Sequence, residues 1–477
     1  MAVSGKFLRG ARSVCAVLLL SVLVPAAGNC AEAAGPAGYN IILVVIDCLR
    51  ADHLSLYGYG RKTSPNIDAF AGDAAVFRQA VSQAPTTLLS FASIFTSMEV
   101  SEHGVTGLDR ALGDSALTLA KIFGIYNYKT AAFVGGLNLN PLFKLDQGFD
   151  KYFYIGRTDA SFKDTIPAAL AWAEEKDAKG ERFMMVVHGN DLHTPYVFPA
   201  PGLYDKGFKV GRRFKALSEA DSPIFAVYKR KMRAGNGRTI TLTDDDAAHI
   251  VARYDEGIHY ADGLLGGFFR QLGEDRLLGR TVVIVTADHG EGLFDHDYFF
   301  HDFNLYDDTL RVPLIIKAPG SGRKEIPGQV RLIDLMPTML DFAGIPPAED
   351  AQGRSLKPLV TGEGPAPEED YAFSESSVGG KAIRSARWKL LRTARGTELY
   401  DLEKDPGEKH DLAGAEKGTA AALEEKLFAR LAADAAVSSG GTLPAKGKFG
   451  ADMKHAAAEQ REFYETMPGM AKSPAGR

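Results

Sequence analysis

An acid and an imidazole stand side by side where an apolar run stops. Residues 282–292 read VVIVTADHGEG, so the run ends in Asp288 and His289, followed by a glycine. A carboxylate oxygen next to an imidazole nitrogen suits a transition-metal ion, while the plainer reading is an Asp-His-Gly turn that closes a strand. A second run of the same build, NIILVVID over 40–47, ends in Asp47. Open α/β sheets bind ligands beyond the carboxyl ends of their strands. Two buried strands that each deliver an acid to that edge therefore point to half of a metal site.

Such uninterrupted apolar runs suit strands covered on both faces. Further strand-like runs are expected at 129–134, 183–188 and 313–317, separated by helical patterns at 115–123, 166–176, 244–272 and 334–343. Thr243, with Asp246 three residues on, is placed to cap the longest of these, and Pro337 falls in the first turn of the last, where proline is tolerated. The alternation predicts an α/β catalytic domain over 39–362 with a mostly parallel sheet sandwiched by helices. After a Gly/Pro/Glu-rich break, short strand-like pieces at 371–375, 381–393 and 398–402 and a helix at 423–431 predict a small antiparallel sheet plus helix over 370–435. The Ala/Gly/Lys-rich end, 438–477, is expected to be poorly ordered.

The chain has 477 residues, formal net charge -5 and no block of Lys and Arg, which argues against a nucleic-acid partner. Lys6, Arg9 and Arg12 precede an apolar run from Val14 to Val24, shorter than the roughly 20 residues a membrane span needs. Small residues follow, including Ala31 and Ala33, so 1–33 is expected to be a signal peptide, an uncleaved anchor being the alternative. No membrane span is expected once it is removed, and the expected location is the periplasm or exterior. Of the 3 cysteines only Cys48 lies in the body, so no disulfide framework supports the fold.

The phrases IDCLRADHLSLYGYGRKTSPNIDAFA, QAPTTLLSFASIFTSMEVSEHGV, LDQGFD, DLHTPY, ADHGEG and LYDDTLRVPLIIKAPG follow one another along the chain. AIRSARWKLLRT and ELYDLEKDPGEKHDLA come after them. Together they resemble the sulfatase family of the alkaline phosphatase superfamily. The resemblance implies an alkaline-phosphatase-like fold, a nucleophile at Thr87, and one divalent cation held by Asp47, Thr87, Asp288 and His289. It also places His103, His193 and His301 where the family binds the transferred anion or handles protons. Typical sulfatases carry at the Thr87 position a cysteine, in a Cys-x-Pro-x-Arg signature, that is oxidised to formylglycine. Thr87 to Phe91 contains none of those three residues, and Cys48 is followed by Arg50 and Asp52 where proline and arginine are needed, so no formylglycine is expected. Superfamily phosphotransferases and phosphodiesterases instead use a metal-bound Thr or Ser. The alternative for Thr87 is a cap on a helix beginning near Ser90. Cys48 in place of a second acid, together with the Asp-His pair, favours Mn²⁺ or Zn²⁺ over Ca²⁺.

The resulting expectation is an exported, metal-dependent hydrolase of sulfate or phosphate esters acting on a small-molecule, glycan or lipid ester. Phosphoester is favoured, because a threonine sulfate has no hemiacetal exit. His193 or His301 would protonate the leaving group. Two other readings stay open: a transferase moving a phosphoalcohol head group to an envelope lipid or glycan, and a catalytically silent binding protein, suggested by Phe91 in place of arginine. His188, His259 and His296 read as structural, and Lys381 and Arg384 as solvated charges.

Overall fold

The computed structural model describes residues 38–196, 202–204, 206–209, 211, 224–228, 230–234, 239–364, 371–435, 441–442, 451 and 454. The leader expected over 1–33 and nearly all of the 438–477 tail lie outside the described residues.

The central 8-stranded sheet contains β1 (Asn40–Ile46), β2 (Ala75–Val81), β3 (Lys129–Gly135), β4 (Lys151–Ile155), β5 (Phe183–Gly189), β6 (Thr281–Ala287), β7 (Arg311–Lys317) and β8 (Lys324–Arg331). Their order is β8-β2-β7-β6-β1-β5-β3-β4, all parallel except β7, which runs against both β6 and β2. Every residue of β1, β5 and β6 is buried, so both faces of the sheet are covered, as the uninterrupted apolar runs require. Each such Val, Ile or Leu contributes roughly 1.5–3 kcal/mol by leaving water. The parallel register sets Ile46 opposite both Ala287 and Gly189, so Asp47 and Asp288 leave the sheet at one level.

The longest helices among the described residues are α1 (Thr87–Thr96), α2 (Phe162–Ala178), α3 (Asp244–Glu274), α4 (Leu335–Phe342) and α5 (Lys417–Ala435). Thr243 caps α3 through a reciprocal pair with Asp246, and Pro337 lies in the first turn of α4. No helix among the described residues is long and apolar enough to cross a membrane.

The C-terminal sheet has 4 antiparallel strands rather than the three pieces expected. A turn in which Trp388 N–H donates to Ser385 Oγ divides the 381–393 stretch into Lys381–Arg384 and Trp388–Thr393. Leu423 and Leu427 of α5 pack with Ile383, Leu390 and Leu399 beneath it. Arg384 is buried and bonded to Asp307 and Gln329, and Lys381 pairs with Glu375. The expectation of a solvated charge therefore fails for Arg384, which meets Asp307 in the seam with the catalytic sheet, while Lys381 stays partly exposed beside its cross-strand neighbour. Lys389 is fully buried, with its ammonium 2.7 Å from Asp307 and 2.8 Å from Glu408. Burial, and then Asp307 beside it, raises the Glu408 carboxyl to about 7 despite that ammonium.

Removing one partner of a buried ion pair leaves the other charge uncompensated. Lys389→Ala should destabilise the protein by about 3–5 kcal/mol. Lys176→Ala, at a surface pair, should change stability by less than about 1 kcal/mol. Urea unfolding of both variants checks the contrast.

Candidate active site

Four of the seven residues singled out in the sequence meet at the carboxyl end of β1 and β6. Thr87 Oγ1 donates to Asp47 Oδ1 at 3.2 Å and lies 3.3 Å from His289 Nε2. His289 Nε2 is 3.5 Å from Asp47 Oδ1 and 3.6 Å from Asp288 Oδ2. Thr87 is the first residue of α1, and Thr86 holds the cap position without a side-chain cap bond. The alternative role of Thr87 as a helix cap is thus set aside: its hydroxyl turns to the acids instead. The positive end of α1 faces the same group.

Backbone contacts fix this geometry. Ser90 Oγ of α1 donates to the Asp288 carbonyl at 2.7 Å, locking the helix to the end of β6. His289 Nδ1 donates to Gly290 O at 2.8 Å, which turns Nε2 toward Asp47, Asp288 and Thr87. Gly290 admits the chain from 308 to 309 against it; a Cβ there would stand 2.1 Å from the Asp308 carbonyl oxygen.

The cluster is short of positive charge. Asp47 Oδ2 and Asp288 Oδ2 are buried with no hydrogen-bond partner. Burial, and then the Asp288 carboxylate, raises Asp47 to about 7 against partial relief from His289. Ligand atoms around an ion at 2.0–2.1 Å lie roughly 3.0–3.4 Å apart, close to the separations seen. The residues present therefore fit a divalent cation held by Asp47, Asp288 and His289, with Thr87 beside it.

His301 and His193 line the same centre. The His301 and His289 ring centroids are 4.5 Å apart, and those of His301 and His193 are 5.3 Å apart. His193 Nδ1 donates to Thr194 O at 2.8 Å. His301 Nδ1 lies 3.2 Å from Glu291 Oε1 and 3.6 Å from Cys48 Sγ. Burial lowers both imidazoles, and for His301 the neighbouring His289 and His193 lower it further, so in the free protein both are proton acceptors. His103 is not brought into this group. It is buried, its Nδ1 accepts from Val105 N–H at 3.1 Å, and its Nε2 meets Ser93 Oγ at 3.0 Å. Burial pushes it down to about 3, and it serves as a neutral bridge inside the fold.

Sequence reasoning missed Glu291. It is fully buried between His301 and the Tyr196 hydroxyl at 3.5 Å, and burial, then Asp47 and Asp308, raises its carboxyl well above the ordinary range. Its signal was present in ADHGEG, as an acid three residues beyond Asp288. His296, read as structural, stacks on Tyr306 at 3.7 Å and bonds to the Gly407 and Glu408 carbonyls.

The profile of the sulfatase family matches residues 39–345, and that of the N-sulphoglucosamine sulphohydrolase C-terminal region matches 293–436. The chain is 27% identical over 442 residues to an arylsulfatase of Clostridium perfringens, covering 79% of this chain and 91% of that one. It is 24% identical over 415 residues to a Delta 4,5-hexuronate-2-O-sulfatase of Bacteroides thetaiotaomicron, covering 78% and 84%. In fold it is similar to a phosphonate monoester hydrolase of Agrobacterium radiobacter, with a TM-score of 0.67 at 20% identity, covering 83% of this chain and 96% of that one.

The raised Asp47 value carries a sign. Metal-free native protein keeps a proton on Asp47 up to about 7, where the unfolded chain has already released it. Stability of the chelated protein should therefore fall as pH rises from about 4 toward 7. Asp47→Asn removes that penalty. In chelator at pH 8 the variant should melt above the parent, the gap closing toward pH 4, while it no longer retains metal in elemental analysis. Full metal occupancy in Asp47→Asn, or no pH dependence of the gap, would contradict the assignment.

Proposed function

The chain belongs to the sulfatase family of sulfate and phosphate ester hydrolases, and from that premise we propose an exported, metal-dependent phosphoester hydrolase in which Thr87 is the nucleophile. The observation that carries this reading is the Thr87 hydroxyl at the first turn of α1, within 3.2 Å of Asp47 and 3.3 Å of His289. The export part rests on the basic and apolar pattern before residue 33 and implies a periplasmic or external location.

When bound, a divalent cation held by Asp47, Asp288 and His289 would supply a positive charge that lowers the pKa of the threonine hydroxyl and offsets charge on the ester. Mn²⁺ or Zn²⁺ suits the imidazole better than Ca²⁺. Thr87 Oγ1 attacks phosphorus in line, the P–O bond to the alcohol breaks, and Thr87 carries the phosphoryl group. The Thr87 proton passes to Asp47, whose Oδ1 already accepts its hydrogen bond. His193 and His301 are neutral in the free protein, and an arriving anionic ester raises both toward protonation. One of them then gives its proton to the departing alkoxide. His301 has the Glu291 carboxyl at its Nδ1, and His193 has the Thr194 carbonyl there. The neutral imidazole left behind is a base for the water that releases phosphate from Thr87. A sulfate on threonine lacks the hemiacetal route by which formylglycine releases sulfate, which is why phosphate is preferred.

Thr87→Ala should lower kcat by at least about a thousandfold, comparable to loss of a principal transition-state group, while Thr87→Ser keeps measurable activity. An acid quench during turnover of 4-nitrophenyl phosphate should trap phosphothreonine in a peptide spanning Gln83–Ser97. Protein made in a host without the formylglycine-generating enzyme should have unchanged specific activity. A wild-type rate in Thr87→Ala would hand attack to water, and sulfatase activity without phosphatase activity would reverse the substrate preference.

A further inference from the structure

The loop that carries His301 contains four non-glycine residues in the left-handed backbone region: Phe294, Asp297, Phe300 and Asp302. Asp tolerates that region in turns. A bulky aromatic does not, because its Cβ crowds the neighbouring carbonyl. Phe300, at φ 85°, is held there against its own preference. Such outliers persist only where the surroundings over-determine them, and they gather at functional sites.

The contacts of Phe300 say what the conformation achieves. Its ring stacks on His301 with centroids 4.0 Å apart and planes 26° apart. It meets His193 edge-on at 5.7 Å and 89°. Its flanking residues, Phe299 and His301, are buried, whereas Phe300 itself is partly exposed. One side chain thus touches both imidazoles that handle protons, while Glu291 anchors His301 at Nδ1 and His289 lies on a third side. A right-handed backbone at this position would swing the ring away from both.

We infer that Phe300 is a positioning residue: its strained backbone packs an aromatic ring against both His193 and His301 and fixes their spacing and tilt for proton transfer to the leaving group. The inference rests on the proton-handling role proposed for those two histidines.

Three variants test it. Phe300→Gly relieves the backbone and removes the ring, Phe300→Leu keeps apolar bulk without a ring, and Phe300→Tyr keeps the ring. The first two should retain metal and cooperative unfolding but lose about a hundredfold in kcat on phenyl phosphate, with KM little changed. On 4-nitrophenyl phosphate, whose leaving group needs no proton, they should lose less than about tenfold. Phe300→Tyr should restore most of the rate on both. In NMR spectra the ring-current displacement of the His301 and His193 carbon-bound protons should vanish in Phe300→Leu and persist in Phe300→Tyr. Equal losses on the two esters, a parent-like rate in Phe300→Leu, or unmoved histidine signals would overturn the proposal. A parent enzyme inactive on both phosphates overturns the phosphoester assignment instead, and the histidine signals then decide the role of Phe300 alone.

Discussion

Two carboxylates buried within reach of one imidazole nitrogen cannot both ionise without a counter-charge. Asp47 and Asp288 are in that position because the parallel ladder of β1 and β6 ends both strands at the same level. Each keeps one oxygen that no protein group satisfies. The surrounding structure then reads as a frame for that unmet demand. Ser90 bolts α1 to the Asp288 carbonyl, Gly290 lets a second segment close over the loop, and the Gly290 carbonyl turns His289 so that Nε2 faces inward. A site optimised for stability alone would place a Lys or Arg there.

Much of this frame was legible in the sequence where local pattern and tertiary role agree. β1 and β6 are central strands, so burial on both faces writes itself as a continuous apolar run. Ala75–Val81, Lys151–Ile155 and Lys324–Arg331 escaped the reading: the first carries Arg78 and Gln79 within the strand, the second is a partly exposed edge strand, and the third includes Pro327 and Gly328 at the other edge. The antiparallel direction of β7 also leaves no local trace, since it depends on which neighbours the strand meets. Thr87 invited a cap reading because threonine often caps helices, and only the position of Asp47, 40 residues earlier in the chain, decides where its hydroxyl points. His103 and Arg384 show the converse limit. Their residue types suggested solvent or anion chemistry, yet His103 is absorbed by Ser93 and Val105 inside the fold, and Arg384 by Asp307 and Gln329 far earlier in the chain.

The histidines share one device. His193 and His289 each spend Nδ1 on a backbone carbonyl, and His301 places its Nδ1 against Glu291. The tautomer of the first two is thereby set by the main chain, leaving Nε2 for chemistry. Burial holds the His193 and His301 imidazoles below their ordinary range.

The four-stranded C-terminal sheet grips the central sheet through main-chain atoms of the loop that leads to Thr87. Ser374 Oγ donates to Ser82 O at 2.7 Å and Glu375 N–H to Gln83 O at 2.9 Å. Those carbonyls belong to the short connection between β2 and Thr87. The small sheet is therefore no detachable module, and grafting it from one relative to another would replace part of the scaffold under the Thr87 hydroxyl. Substitutions far downstream become in mechanical terms substitutions beneath Thr87. Selection for new substrates has a lever there that leaves the ligand residues untouched.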